Sequence, residues 1–447
     1  MLKYFLRRLL LIPPTLLGIT LLVFAITRFM PGGPGEKMLQ QAAKGADQGG
    51  KRGASTESHS GLNEDQLEEI EEQYGLDKPI LTGYAQWLGI WPRESRLSKA
   101  EFGGSDDERI ESGADADNSA LVVLRGDGRA VRVTRANGRI TSAVFADNGK
   151  PVDPEGWKVR YETAADREAR FRKRNGLDEE PPAYADRAVV FKTRVSGLFQ
   201  GDLGTSTSFN EPVLGLILAR MPIAVYFGLL TAIITYAVCL PLGVVKALRH
   251  RTFMDSASSV LVFVGYSIPG FALGAILLVH FGARLHWFPL FGLTSPDFAD
   301  LDTWGKVKDL AHHTVLPLSC YVIGAFAMLT MMTKNNLMDN LAADYVRTAV
   351  AKGVSYRRAV FGHAFRNSMI PVATSLGSLL EIFIGGSLLV ETVFDIQGFG
   401  LLQFQAVVSR DTPIIMGTLV IEAFLMLLGH IVSDVIVAMV DPRIKFE

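Results

Sequence analysis

The stretch Met221-Pro-Ile-Ala-Val-Tyr-Phe-Gly-Leu-Leu-Thr-Ala-Ile-Ile-Thr-Tyr-Ala-Val-Cys-Leu-Pro-Leu-Gly-Val-Val245 contains no Asp, Glu, Lys, Arg or His. A helical residue rises about 1.5 Å, so about 20 mostly apolar residues cross the hydrocarbon core of a bilayer. At this length a buried helix of a soluble protein is the losing alternative. The chain therefore reads as a membrane protein.

Five more segments satisfy the same test. They are Leu9–Thr27, Ser256–Gly282, Thr314–Thr333, Asn367–Val390 and a last one from Pro413 to Val440. The fold class expected is an all-α polytopic membrane protein with six transmembrane helices. Pro13, Pro14, Pro241 and Pro269-Gly270 fall inside these spans and are expected to be tolerated as kinks. Leu9–Thr27 is longer than a signal-peptide core and ends in Arg28-Phe-Met-Pro31, not in an A-x-A-like site, so it reads as a retained anchor.

Lys and Arg in the short links orient the spans. Lys3, Arg7 and Arg8 precede the first; Lys246, Arg249 and Arg251 follow the second. Lys334, Arg347, Lys352, Arg357, Arg358 and Arg366 lie between the fourth and fifth, and Arg443 and Lys445 follow the sixth. Both termini are expected in the cytoplasm and residues 31–220 outside it.

The whole-chain averages conceal this division. The 447 residues are 48% hydrophobic and 20% charged, with a net charge of −1. Residues 31–222 hold 26 Lys+Arg and 31 Asp+Glu, about 30% charge, against about 13% elsewhere. A near-neutral chain without a basic tail excludes nucleic acid as a natural partner. Cys239 and Cys320 lie in apolar runs and make neither a disulfide framework nor a CxxC metal site. The run Gly32-Gly-Pro-Gly-Glu-Lys37 lacks the spacing and hydroxyl of a P-loop, so this chain cradles no ATP there.

Between the fourth and fifth spans lies the segment 334–366. Within it, Asp339-Asn-Leu-Ala-Ala-Asp-Tyr345-Val-Arg347-Thr348-Ala349-Val-Ala351-Lys352-Gly353 reads as a short helix with an Asp or Asn cap, stopped by Gly353. Ser355 is placed to cap a second helix running toward Phe365. A helix–Gly–helix with small residues at Ala349 and Ala351 suits docking of another protein. An inert amphipathic connector is the commoner meaning of such a loop.

The segment from Tyr345 to Arg358, with His363-Ala-Phe-Arg-Asn-Ser-Met-Ile-Pro371, resembles the coupling loop of oligopeptide/dipeptide ABC-importer permeases. Further pieces agree in order: Arg7-Arg-Leu-Leu-Leu-Ile-Pro-Pro-Thr-Leu-Leu-Gly18, Pro31-Gly-Gly-Pro34, Tyr74-Gly-Leu-Asp-Lys-Pro79, Gly201-Asp-Leu-Gly-Thr-Ser206 and Asp441-Pro-Arg-Ile-Lys-Phe-Glu447. The stretches Phe288–Leu293, Leu329–Asn335 and Val408–Asp411 are most similar to the Yej-type branch. The resemblance covers about 1–91 and 197–447. It departs from the general importer "EAA" pattern, with Arg347 and Thr348 before Ala349, and keeps Gly353.

This resemblance implies a permease subunit that carries peptides or peptide-like solutes, without its own ATPase site. Tyr345, Arg347, Thr348, Ala349, Ala351, Lys352 and Gly353 would form the ATPase-coupling loop. ATP and Mg would be held by cytoplasmic ATPase subunits. The other partners implied are a second homologous permease, a periplasmic peptide-binding protein and membrane lipid. Two rivals remain: a self-sufficient secondary transporter, disfavoured because no broken-helix pair or inverted repeat is visible, and a sensor or scaffold using the outer region as receptor.

Residues 92–196 intervene where the family pattern would pass directly to the Gly-Asp-Leu-Gly stretch. Ala120–Leu124, Ala130–Thr134, Arg139–Phe145, Trp157–Glu162 and Ala188–Thr193 read as strands, with a turn at Asn137-Gly138. Arg167–Arg174 reads as a basic, solvated surface helix. A small α+β domain inserted between the first two spans is expected. The tract 40–60 is polar and Gly/Ser-rich and is expected to be disordered, and Asn63 opens a short helix. Neither Asp106-Asp-Glu108 nor His312-His313 has the company a catalytic site needs.

One ionisable group stands mid-span. Glu381, among Ser378, Gly385 and Gly386, is expected either to line a translocation path or to sit on a close helix contact. Glu422 and Asp434 are placed to pair within the bundle.

Overall fold

The computed structural model describes residues 2–29, 78–102, 118–175, 181–375 and 387–440. The chain forms two compact units, one of Met1–Asp77 with Leu203–Glu447 and one of Lys78–Asp202. The expectations for 40–60 and for the helix opening at Asn63 lie outside the described residues.

Helix α1 (Leu2–Phe29) belongs to the first unit. Leu9, Leu10 and Leu22 are all more than half exposed, the inverse of a soluble helix and the pattern lipid demands. Pro13 and Pro14 sit inside α1 without ending it.

Among its described residues the second unit begins with α2 (Ile80–Leu88) and contains two three-stranded antiparallel sheets and one further α-helix. The strands are β1 (Arg93–Glu101), β2 (Ser119–Val123), β3 (Ala130–Ala136), β4 (Arg139–Phe145), β5 (Trp157–Glu162) and β6 (Arg187–Arg194), with sheet orders β1-β6-β5 and β2-β3-β4. Strands at all five positions read from the sequence are present. Ala136 pairs with Arg139 around Asn137-Gly138, both at positive φ, as a two-residue type I′ hairpin requires. Val131 and Val133 point into a core with Val122, Phe145, Trp157 and Val190, while Arg132 points out. β1 escaped the sequence reading because Arg-Glu-Ser-Arg-Leu-Ser-Lys-Ala-Glu has almost no apolar alternation.

Helix α3 (Ala164–Asn175) corrects in part the reading of a solvated basic face. Arg167 is buried and hydrogen-bonds Glu101 and the Ala185 carbonyl, and Arg170 donates to Glu162 at 2.9 Å. Arg167 and Arg170 form the inner face, held by carboxylates of the sheet, while Arg172 stays exposed and pairs with Glu168 of its own helix.

The first unit resumes with α4 (Val213–Leu248), α5 (Phe253–Ser267) and α6 (Gly270–Leu277), the last continued by a π-helical turn over Leu278–Arg284. Then come α7 (Thr303–Ala342), α8 (Asp344–Ala351), and a run made of α9 (Tyr356–Ala359), the π segment Val360–Ala364 and α10 (Phe365–Ser368). The last helices are α11 (Ile370–Ser375), α12 (Leu388–Phe394), α13 (Phe399–Ser409) and α14 (Thr412–Val440).

Among the described residues four helices, α1, α4, α7 and α14, are long and apolar enough to cross a membrane. The α5–α6 pair makes a fifth if its two halves are one span, but they are bent by 91°. That corrects the expectation of a tolerated kink at Pro269-Gly270. Proline disfavours the helical conformation in the residue before it, and Ile268 is extended at φ −92, ψ 120. Pro241 in α4 is tolerated within a continuous helix. The expected span Asn367–Val390 is described only at its ends.

Close packing joins α4 to α7. A Cβ on Gly243 would lie 2.6 Å from Thr333 Cβ and 2.9 Å from the Thr330 carbonyl oxygen, so only glycine permits this approach. Tyr226 and Thr314 share a hydrogen bond of 2.9 Å, and Phe227 stacks on Tyr321. On the other side α1 meets α14 through an ion pair of Arg8 with Asp434.

Candidate functional site

Helix α8 owes its position to one side chain. Val346 is 3% exposed and packs with Val244 and Ala247 of α4, Leu337 of α7, Ala359, and Ala364 of the π segment. Ala349 is half-buried, whereas Tyr345, Arg347, Thr348, Ala351, Lys352 and Gly353 are exposed. One edge of α8 thus rests on the ends of two long helices and the rest faces outward. Arg347 and Asp344 approach to 3.8 Å, but both are open to solvent, where such a pair contributes little.

The ends of α8 differ from the sequence expectation at the start and agree at the stop. Ala343 occupies the N-cap position and Asp344 is the first helical residue, where its charge favours the helix dipole. Asn340, one of the expected caps, instead accepts the Tyr345 hydroxyl at 2.7 Å. At the other end Gly353 N–H bonds the Val350 carbonyl and Val354 N–H bonds the Ala349 carbonyl, with Gly353 at φ +89. This is a Schellman stop, which calls for the left-handed region that glycine enters without strain. Ser355 stands at the N-cap of α9 but makes no side-chain cap bond.

Beside this loop lies an ionic cluster that sequence reading missed. Lys334 Nζ of α7 donates to both Asp255 carboxylate oxygens, at 2.7 and 2.8 Å. Lys246 Nζ of α4 donates to the Asp255 carbonyl and to the Ser258 and Ser259 hydroxyls at 2.7–2.9 Å, and lies 3.3 Å from Asp255 Oδ1. Lys246 is wholly buried. In the sequence the two lysines read only as orienting charges. The signal available was Thr252-Phe-Met-Asp255 before an apolar run, the pattern of a capping box. Thr252 does accept the Asp255 N–H.

The opposite ends of the long helices carry two buried carboxylates. Glu391 of α12 accepts the Tyr321 hydroxyl at 3.1 Å and the Leu401 N–H at 2.8 Å, tying α12 and the start of α13 to α7. Asp411 accepts the Ser206 hydroxyl at 2.7 Å and the Ser208 N–H at 2.8 Å. Glu422 accepts the Gln403 amide at 3.0 Å. Glu381, Ser378, Gly385 and Gly386 lie outside the described residues.

Residues 239–446 match the family described as the inner membrane component of binding-protein-dependent transport systems. The peptidoglycan transport system permease protein YejB of Agrobacterium fabrum is 37% identical over 300 residues, 66% of this chain and 81% of that one. The chain belongs to this family. The permease is 42% identical over 249 residues, 55% of its length and 68% of the relative's, to the inner membrane ABC transporter permease protein YejB of Escherichia coli O157:H7. It is also 36% identical over 283 residues to the oligopeptide transport system permease protein AppB of Bacillus subtilis, 63% of this chain and 86% of that one.

The permease is therefore a Yej-type membrane subunit of an ABC importer and a multi-pass protein of the inner membrane. Membership implies an ATP-hydrolysing partner and a substrate-binding protein, since permease subunits of this kind carry no ATPase site of their own. Two segments singled out in the sequence, Gly201–Ser206 and Val408–Asp411, meet at the Ser206–Asp411 hydrogen bond.

Proposed function

We propose that the permease carries peptides or peptide-like solutes inward, and that α8 receives the stroke of the ATPase. The observation that carries this reading is the seat of Val346. A helix that presents Tyr345, Arg347, Thr348, Ala351 and Lys352 outward and inserts one valine between the ends of α4 and α7 can turn a push on its outer face into movement of those helices. ATP and Mg belong to the partner subunits. The names of the relatives, which cover oligopeptide and peptidoglycan transport, support the substrate class.

The chain crosses six times in this proposal, with both termini and segment 334–366 cytoplasmic and residues 31–220 periplasmic, about 92–196 of them forming an inserted α+β domain. The Lys/Arg bias of the links supports that orientation. A second homologous permease completes the path, lipid surrounds it, and Glu381, Ser378, Gly385 and Gly386 line it. Glu381→Gln then alters uptake without affecting assembly; wild-type uptake by Glu381→Leu would remove that residue from the path.

A self-sufficient secondary transporter was disfavoured partly for want of a broken-helix pair, and α5–α6 is one. The rival fails instead on family membership, because this family works with separate ATPases and binding proteins. Nothing favours a receptor or scaffold that could dispense with α8. The deciding experiment is co-purification with the ATPase subunit, with uptake measured alongside. Gly353→Trp is expected to abolish ATP-coupled uptake; full uptake by that variant would overturn the role of α8.

A further inference from the structure

We propose that Asp255, Lys246 and Lys334 form the strut that makes the ends of α4, α5 and α7 move as one body when α8 is pushed, and that the three act as positioning residues for coupling. The inference rests on the reading of α8 as the ATPase-receiving element. Its basis is the location of the cluster relative to the Val346 seat. Lys246 lies between Val244 and Ala247, two of the residues that hold Val346, and Lys334 lies one turn before Leu337, a third. Each long helix thus offers an apolar residue to α8 and a lysine to Asp255.

The cluster adds α5, which does not contribute to the Val346 seat. Asp255 stands in the first turn of α5, and its carboxylate also accepts the Arg251 N–H at 3.2 Å, which folds the α4–α5 link onto it. His250 Nδ1 approaches the same carboxylate at 3.4 Å. One turn away, Gly243 and Thr333 hold α4 and α7 in direct contact. A push at Val346 therefore meets two helices already locked together and a third tied to both.

Such a cluster is an uncertain source of stability, because desolvation opposes the attraction of buried charges. Its charge-assisted hydrogen bonds instead fix one geometry, through donors on two helices and an acceptor on a third. With the carboxylate removed, α5 loses its tie to α7 through Lys334 and keeps only the bonds of Lys246 to the Asp255 carbonyl and the Ser258 and Ser259 hydroxyls, so α5 and α6 no longer follow α4 and α7 as one body.

The test uses the assembled importer in lipid, with spin labels at Ile276→Cys in α6 and Leu22→Cys in α1, a helix outside the strut, both sites being exposed. The native cysteines are buried. The distance distribution is recorded without nucleotide and with ATP and vanadate, alongside ATP hydrolysis, so the substrate need not be known. Asp255→Asn is expected to hydrolyse ATP but lose about nine-tenths of the nucleotide-dependent population shift, a tenfold effect in keeping with lost hydrogen bonds to a charged group. Lys334→Arg, which keeps the charge and the donors, is expected to retain the shift.

If Asp255→Asn fails to assemble, the paired variant Asp255→Leu with Lys334→Met takes its place, since it removes the tie without leaving that lysine uncompensated. An unchanged shift in the assembled variant overturns the strut. Absence of any shift in the wild-type complex, or an unchanged shift in Gly353→Trp, shows instead that the reading of α8 has failed.

Discussion

The Ser206 hydroxyl donates to the Asp411 carboxylate at 2.7 Å, across 205 positions of sequence, with both side chains shut away from solvent. The same oxygen of Asp411 accepts the Ser208 N–H, and its other oxygen faces the Ile414 N–H in the first turn of α14 at 3.4 Å. One carboxylate thus fixes the segment leading into α4 against the turn between α13 and α14. Hydrogen bonds to charged groups contribute about 1.5–3 kcal/mol each. Ser206→Ala is expected to lower stability within that range, and Asp411→Ala by more, because it removes the carboxylate that accepts from the Ser206 hydroxyl and the Ser208 N–H together. Thermal unfolding of the detergent-solubilised permease measures both; an unshifted midpoint for Ser206→Ala would count against the arrangement.

Gly353 offers a different kind of control. Nothing lies within 4 Å of a Cβ built there, so a substitution meets no clash and its local cost is set by φ +89 alone. A left-handed conformation costs an ordinary L-residue about 1–2 kcal/mol, and Asn less than most. Protection of the α8 backbone against hydrogen exchange should therefore fall in the order Gly353, Gly353→Asn, Gly353→Ala, Gly353→Val. Equal protection in the valine and asparagine variants would show that the Schellman stop does not hold the helix. A loss of uptake by Gly353→Asn with protection retained would locate the defect in docking, not in folding.

The α4–α7 contact at Gly243 makes a third expectation. Gly243→Ala places a methyl group where the Thr333 Cβ and the Thr330 carbonyl already stand, and overpacking of this kind costs about 1–3 kcal/mol. Thr333→Gly in the same chain frees the side-chain half of that space but leaves the carbonyl. A double-mutant cycle on thermal stability should show partial rescue, with an interaction term that strict additivity lacks. Additive effects would mean that the two helices do not touch at this point in the membrane.

How far the sequence spoke depended on the range over which each signal acts. Spans are local, and the uncharged runs within α1, α4 and α7, like the apolar stretch of α14, announced themselves through length and apolarity. The I′ turn at Asn137-Gly138 and the stop at Gly353 were equally legible, because backbone sign and side-chain type agree at a single residue. The break at Pro269 was not: a proline allows a kink or a full break, and the 91° outcome depends on what packs around it. Gly274, for example, has Phe394 where a Cβ would need space. The Lys246–Asp255–Lys334 cluster was hidden because its members are separated by 9 and 79 positions, the two lysines had a sufficient local explanation as orienting charges, and Asp255 falls just outside the span that opens at Ser256. Arg167 and Arg170 of α3 misled for the same reason. A basic helix reads as solvated until the sheet beneath it is known to offer Glu101 and Glu162.

That sheet supplies a pH test. Glu162 is 3% exposed and receives Arg170 at 2.9 Å, Arg187 at 2.8 Å and Arg160 at 2.9 Å. Burial pushes its carboxyl up, but the Arg170 hydrogen bond and the charges of Arg187, Arg170 and Arg160 outweigh this and hold it down from 4.5 to about 2. Because the folded state binds the proton less readily than the unfolded one, the stabilisation is whole above pH 4.5 and is lost as pH falls toward 2. At about 1.4 kcal/mol per pH unit it amounts to roughly 3 kcal/mol at neutrality. Hydrogen exchange of peptides covering β5 and β6 in the intact permease, corrected for intrinsic rates, should weaken across that window. Glu162→Gln should be less protected at neutral pH and lack this part of the pH dependence, since the arginines then surround a group that carries no charge. Protection in the variant that still weakened as steeply between pH 4.5 and 2 would assign the titration to another carboxylate, for which Asp186 is the next candidate: the Tyr161 hydroxyl, the Ala164 N–H and Arg135 hold it below its ordinary 3.8.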